Sequence, residues 1–260
     1  MERAPMIHLF GSCSGTEPMP GRHHTSFAIE YGGDLYWFDA GENCAYTAHQ
    51  MGLDPLAIRA AFISHPHVDH LAGLPHLFFV IQKIRGREKR QMKYPSVPIF
   101  LPKQGIWDGL SAFVSSYGGG AALAGFEPRL IGDGLIFDDG AVRVTALHNR
   151  HLREDGSDGW HSFSFRIELA GRAVVFSGDV LSPEELVPLI ADGVDLLLLE
   201  TGHHALDDVC AFVNRNPVGR LLFVHHGREI LSDPAGCLAR ARALACVPVE
   251  IGEDATSYPI

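Results

Sequence analysis

The stretch "ISHPHVDHLAG", residues 63–73, limits what this chain can become more than any other. Three histidines and an aspartate (His65, His67, Asp69, His70) fall within six consecutive positions, directly after the apolar run "AAFI". Polar groups in that number are buried only if something satisfies them. Pro66 offers no backbone N–H and bars a regular helix through His65–His67. An extended turn there lets both imidazoles point to one metal. Asp69 and His70 then enter the helix-like run "HLAGLPHLFFVIQ" and can aim at a second. Imidazole nitrogen and carboxylate oxygen suit zinc or a similar divalent ion. One hexapeptide cannot complete two coordination shells, so the fold must deliver further ligands from elsewhere.

The chain contains them at the ends of apolar runs. Asp39 follows "LYWF", "LHNRH" offers His148 and His151, "FSGD" offers Asp179, and "FVHHG" offers His225 and His226. "SFAIEY" and "LYWFDA" flank the turn "GGD", a hairpin signal. "AAFIS", "VPIFLP", "AVRVTAL", "HSFSFRIEL", "RAVVFSG", "VDLLLLE" and "RLLFVHH" read as further strands, the last two apolar enough to be buried on both faces. Helices are predicted over 103–115, 182–191, 205–214 and 233–245, the second with the start Ser182-Pro183-Glu184-Glu185. The class is α/β, in which sites lie at the carboxyl ends of strands. No internal repeat is visible. "YGGGAALAG" (117–125) is the best linker candidate and reads as a loop inside one domain.

The totals exclude several roles. With 46% apolar and 20% charged residues in 260, the chain reads as an ordinary globular protein. No apolar stretch reaches transmembrane length, and the start shows no signal-peptide pattern, so a cytoplasmic location is expected. Five scattered cysteines (13, 44, 210, 237, 246) without a C-x-x-C pair suggest reduced thiols, each read as a small buried hydrophobe. A formal charge of −10 disfavours nucleic acid as partner. "KIRGREKRQMK" (83–93), with six cations against Glu88, runs against that balance. It reads as a solvated loop, or else as an arm touching a phosphate-bearing substrate. It is the one route to a nucleic acid.

The ordered series Asp39, "HPHVDH", a mid-chain His, "SGD" and a late His resembles the five motifs of the metallo-β-lactamase superfamily. "GSCSGTEPMPGRHHTSFAI" and "WFDAGEN" resemble its ribonuclease Z and phosphodiesterase-like branch. The resemblance implies a single αββα sandwich over 1–260, two divalent ions (zinc first, manganese as the alternative) and, at family level, a homodimer. His65, His67 and His151 would hold one ion. Asp69, His70 and His225 would hold the other, with Asp179 bridging. Asp39 would orient a ligand from behind. His151 lies six residues after Thr145, as the family histidine does, while His148 is its rival or a supporting neighbour.

The reaction this implies is attack of a metal-bridging hydroxide on phosphorus. Asp69 would take a proton from that water, and His203, oriented by Glu200, would protonate the leaving oxygen. Where ribonuclease Z reads His-Glu-Ala-Thr, this chain reads "LETGHH", with Leu199 before Glu200. "ETGHH" instead resembles the Glu-x-x-His stretch of other phosphodiesterase-like members. A small or nucleotide phosphodiester is therefore the expected substrate. The alternatives are a lactone, thioester or β-lactam on the same ions, tRNA 3′ processing, and a non-catalytic sensor or scaffold of the same fold. His161 reads as a core residue, His23 and His24 as loop residues, and His8, His49 and His76 as functionally silent.

Overall fold

The structure is a computed structural model describing residues 4–15, 21–116, 120–152 and 159–260. Residues 16–20 of "GSCSGTEPMPGRHHTSFAI" and the head of the linker candidate (117–119) lie outside the described residues. The chain resolves into two compact units, Met1–Gly11 with His23–Ile131 and Asp254–Pro259, and Ser12–Arg22 with Gly132–Glu253 and Ile260.

The first unit holds a seven-stranded sheet of β1 (Met6–Gly11), β2 (Ser26–Tyr31), β3 (Asp34–Phe38), β4 (Ile58–Phe62), β5 (Val97–Leu101), β6 (Phe126–Leu130) and the edge strand β14 (Thr256–Pro259), in the order β14-β1-β2-β3-β4-β5-β6. Pairing is antiparallel from β14 to β3 and parallel from β3 to β6. The predicted hairpin is present, with Gly32 and Gly33 both at positive φ in its turn. The helices are α1 (Cys44–Gln50), α2 (Val68–Leu71), α3 (Leu74–Glu88) and α4 (Gln104–Ser116). Phe10, Trp37, Leu74, Leu77, Phe78 and Ile81 share one core with α1 and α4 residues.

Two expectations change here. The helix-like run after the motif is two helices, because the ring of Pro75 would meet the carbonyl of Leu71 if α2 simply continued. The basic segment is not a solvated loop at its start: residues 83–88 are the last turns of α3, whose cations complement a helix C-terminus.

The second unit repeats this plan. β7 (Gly134–Asp138), β8 (Val142–His148), β9 (Phe163–Leu169), β10 (Arg172–Phe176), β11 (Leu196–Thr201), β12 (Leu221–His226) and β13 (Val249–Ile251) form a sheet ordered β13-β12-β11-β10-β9-β8-β7. Pairing is antiparallel from β7 to β10 and parallel from β10 to β13. Both sheets thus run from an antiparallel meander into a parallel half, a duplication that the residue identities do not show. Leu197, Leu199, Leu221 and Phe223 pack with Val209, Phe212 and Ala241 from α6 (Leu206–Val213) and α8 (Pro234–Leu244). α7 (Arg228–Ser232) follows β12. The predicted helix 182–191 is a 3₁₀ turn, Pro183–Leu186, running into the short α5 (Val187–Ile190), since Pro188 cannot donate to the carbonyl of Glu184. Its start is a capping box between Ser182 and Glu185.

Candidate metal centre

In the first unit the polar residues gather where the sheet changes from antiparallel to parallel, after β3 and β4. Asp39 follows β3 in the left-handed region, φ 51°, which a non-glycine residue adopts when its surroundings hold it. Its amide donates to Phe62 O (2.9 Å), while the next amide, of Ala40, donates to His70 O (2.6 Å) and ties α2 to this strand end. Asp39 is fully buried. Its carboxylate accepts from Ser64 N (2.7 Å), Ser64 Oγ (2.8 Å) and His70 Nδ1 (2.7 Å). With its own proton given to Asp39, Ser64 Oγ accepts from His65 Nδ1 (3.0 Å). One carboxylate therefore fixes two imidazoles in the tautomer whose unprotonated Nε2 can serve as a ligand atom for a cation. This is the support that metal-bound histidines require. His65 Nε2 and His67 Nδ1 lie 3.0 Å apart, and Asp69 Oδ2 is 3.4 Å from His70 Nε2.

Gly41 and Gly73 permit this packing. A Cβ on Gly41 would strike the carbonyl of His24, and one on Gly73 would meet the Cys44 sulfur at 2.7 Å. Burial pushes that thiol up to about 12, so it remains protonated.

In the second unit the corresponding strand ends carry Asp179 after β10, Glu200 in β11 and His225 in β12. Asp179, Glu200, His203 and His225 each offer a ligand atom within 4.8 Å of the others. His225 Nε2 is 3.5 Å from Asp179, and His151 Nε2 is 3.7 Å from the same carboxylate. Glu200 is the counterpart of Asp39. Fully buried, it accepts from Val180 N (3.1 Å) and His203 N (3.0 Å), pairs with His203 Nδ1 at 2.9 Å and lies 3.5 Å from His225 Nδ1. Burial alone would raise its pKa, but hydrogen bonds from His203 and His225 outweigh burial and hold it at about 2. The carboxylate in turn raises the pKa of His203. His225 also sits in the left-handed region, φ 48°. Gly202 leaves room for its ring: a Cβ there would come within 2.6 Å of His225 Nδ1.

The other candidates lie as follows. His148 Nδ1 is bonded to Asp133 (2.7 Å) and its ring stacks on Trp160 at 4.4 Å, whereas His151 faces Asp179. His226 is buried, donates from Nε2 to Gly252 O (2.8 Å), and is pushed down to about 3 by burial. His161 is buried, as expected of a core residue. His23 and His24 both meet Glu42. Four cysteines are buried, but Cys246 is exposed and corrects the reading of all five as core residues. Sequence reasoning missed Ser64, whose signal was a hydroxyl next to His65 at a strand end. It also missed the reach of Glu200 to His225, for which no local signal exists.

Such donors fit divalent cations, with imidazoles backed by buried carboxylates and further carboxylates beside them. Histidine sites of this kind, at the carboxyl ends of strands in mixed sheets with one shared plan, define a class, the proteins of metallo-β-lactamase fold. Within it, the chain belongs to the family described as beta-lactamase superfamily domain, whose model matches residues 37–226. It is 40% identical over 76 residues to the ribonuclease Z of Treponema pallidum, a match covering 29% of this chain and 24% of that protein. The chain thus spans about a quarter of the length of the first curated relatives that it matches. The ribonuclease Z of Shouchella clausii is 26% identical over 84% of this chain and 86% of its own. Among solved structures, human tRNase Z, short form, superposes with a TM-score of 0.75 at 20% identity, covering 98% of this chain and 99% of that one. A diphosphatase from the PhnP family gives 0.67 at 15%, covering 98% of each chain. These likenesses show the metallo-β-lactamase fold that the sequence resemblance implied.

Proposed function

We propose that residues 1–260 act as one hydrolase domain that cleaves a small or nucleotide-type phosphodiester with the help of two divalent ions. The observation that carries this reading is the matched support behind the histidines: Asp39 behind His70 and, through Ser64, His65, and Glu200 behind His225 and His203. Packed histidines need no such carboxylates, whereas ligand histidines do. In this reading His65, His67 and His151 would hold one ion and Asp69, His70 and His225 the other, with Asp179 available to both. His148 flanks the set. Zinc suits this imidazole-rich set, with manganese as the alternative.

When bound, the ions supply activated water near neutral pH and neutralise charge developing on the phosphoryl group. Asp69 accepts a proton from the attacking water. His203, whose pKa the neighbouring Glu200 carboxylate raises, gives one to the leaving oxygen. The reading carries with it a cytoplasmic location and, as the family resemblance implies, assembly as a homodimer. No helix among the described residues is long and apolar enough to cross a membrane.

Preference for phosphate draws on the named relatives, which are ribonucleases Z and a diphosphatase. A tRNA 3′ end is the second reading, favoured by the ribonuclease Z match over 84% of the chain. Against it stands the net charge of −10, and part of the basic segment is neutralised within the protein: Arg90 pairs with Asp54 and Glu88, and Lys93 with Asp34. The test is a panel of bis-p-nitrophenyl phosphate, a lactone and nitrocefin, offered to metal-loaded protein together with metal analysis. The expected result is about two tightly held ions and turnover of the diester alone, abolished by chelation. Turnover of lactone or nitrocefin without the diester reverses the assignment.

A further inference from the structure

α3 has two faces. Leu74, Leu77, Phe78 and Ile81 are buried, while His76, Phe79, Lys83 and Arg87, spaced three or four residues apart, form an exposed stripe. Phe79 is 38% exposed and Phe113 of α4 is 57% exposed. With Ala72, Pro75 and His76 they line a groove of about 570 Å³, inside the range of small-molecule sites. The groove starts at Ala72, two residues beyond His70. Beside the groove, Lys83 Nζ lies over the Phe79 ring, 4.8 Å from its centre. Among the described residues Lys83 and Arg87 make no ion pair, in contrast to Arg90 and Lys93 of the same segment.

An exposed aromatic pair followed along one helical face by two unneutralised cations is unusual on a chain of net charge −10. Its complement is a flat aromatic group with an anion attached. A nucleotide has both, with the base stacking on aromatic side chains and the phosphate meeting a cation.

We propose that this groove is a nucleobase subsite, with a base of the substrate stacked on Phe79 and Phe113 and the adjoining phosphate on Lys83 and Arg87. The inference rests on the phosphodiesterase reading and narrows its substrate to a nucleotide.

The test is calorimetric titration of full-length, metal-loaded protein with thymidine 3′,5′-bisphosphate, which contains no diester, and with its abasic counterpart. The base-bearing ligand is expected to bind about tenfold more tightly. F79A and F113A should each remove most of that preference, F79W should keep it, and K83A should weaken both ligands alike. Thermal melting identifies any variant that fails to fold, and F79W then stands in as the folded comparison. Equal affinity for the two ligands, or full base preference in folded F79A and F113A, overturns the assignment. So does a dimer that dissociates in these variants while nucleotide affinity holds, since the groove would then be a contact between copies. Base preference without diester turnover defeats the phosphodiesterase reading alone. Diester turnover without base preference defeats the subsite alone.

Discussion

Two buried carboxylates organise the candidate site at the level of single residues. Asp39 accepts from Ser64 and His70 at 2.7–2.8 Å with no exposure to solvent. Asp39→Ala strands those donors and frees the imidazoles to rotate. Metal affinity, read by competition with a chromogenic chelator, should fall by about 10–100-fold. An unchanged affinity would mean that Asp39 holds up the backbone only. Glu200 makes a second, independent prediction. Its carboxylate raises the pKa of His203, so His203 keeps its proton to higher pH than a free imidazole does. Glu200→Gln removes the negative charge, and the His203 titration followed by NMR should move to lower pH, as should the alkaline limb of kcat. Asp39 and Glu200 differ in legibility. The sequence marked Asp39 as a residue acting from behind a ligand and Glu200 as a partner of His203. The Ser64 relay and the proximity of Glu200 to His225 depend on which strands neighbour each other, which residue identity does not reveal.

Among the elements, α3 joins the metal motif to the basic segment. Its buried face fixes the helix on the sheet and so fixes the stripe that carries Phe79 and Lys83. Leu77 is almost fully buried in that core. Leu77→Ala should cost about 2–5 kcal/mol in chemical denaturation, through lost contacts and the cavity left behind. A cost below about 1 kcal/mol would show that the helix is held by something other than this face. The apolar spacing of α3 was readable in the sequence. Its start was not, because one proline separates a four-residue turn from a fifteen-residue helix. The basic segment misled for a related reason: clustered charge signals solvation, yet the last turn of a helix also favours cations.

For the molecule as a whole, acid is the expected weak point. Burial holds His226 neutral in the fold, down to about 3, whereas an unfolded chain protonates it near 6.5. A folded pKa below the unfolded one leaves stability untouched above about pH 6.5 and removes it as pH falls from there toward 3. The slope from this residue is at most about 1.4 kcal/mol per pH unit. His226→Gln can keep a donor for Gly252 O and cannot titrate, so its loss of stability between pH 6 and 4 should be shallower than that of the parent. Parallel curves for the two proteins would assign acid sensitivity to other groups. The duplicated sheet order belongs to this scale as well. Each unit places most of its site residues just past strands near the change from antiparallel to parallel pairing, at the carboxyl ends where α/β sheets bind ligands.

By itself the sequence determined the chemistry on offer. "HPHVDH" after an apolar run, Asp179 and His225 at the ends of others, and the α/β alternation all follow from residue type and local periodicity, and these are properties of short segments. The tertiary structure decided how that chemistry is aimed. It put Asp39 and His225 into left-handed backbone, set Asp39 and Glu200 behind their histidines, turned His151 toward Asp179 and His148 toward Trp160, and laid Phe79 beside Phe113. Hydrogen-bond partners dozens of residues apart meet through strand order and helix packing. A pattern of apolar residues reports that a segment is buried, not which segment buries it.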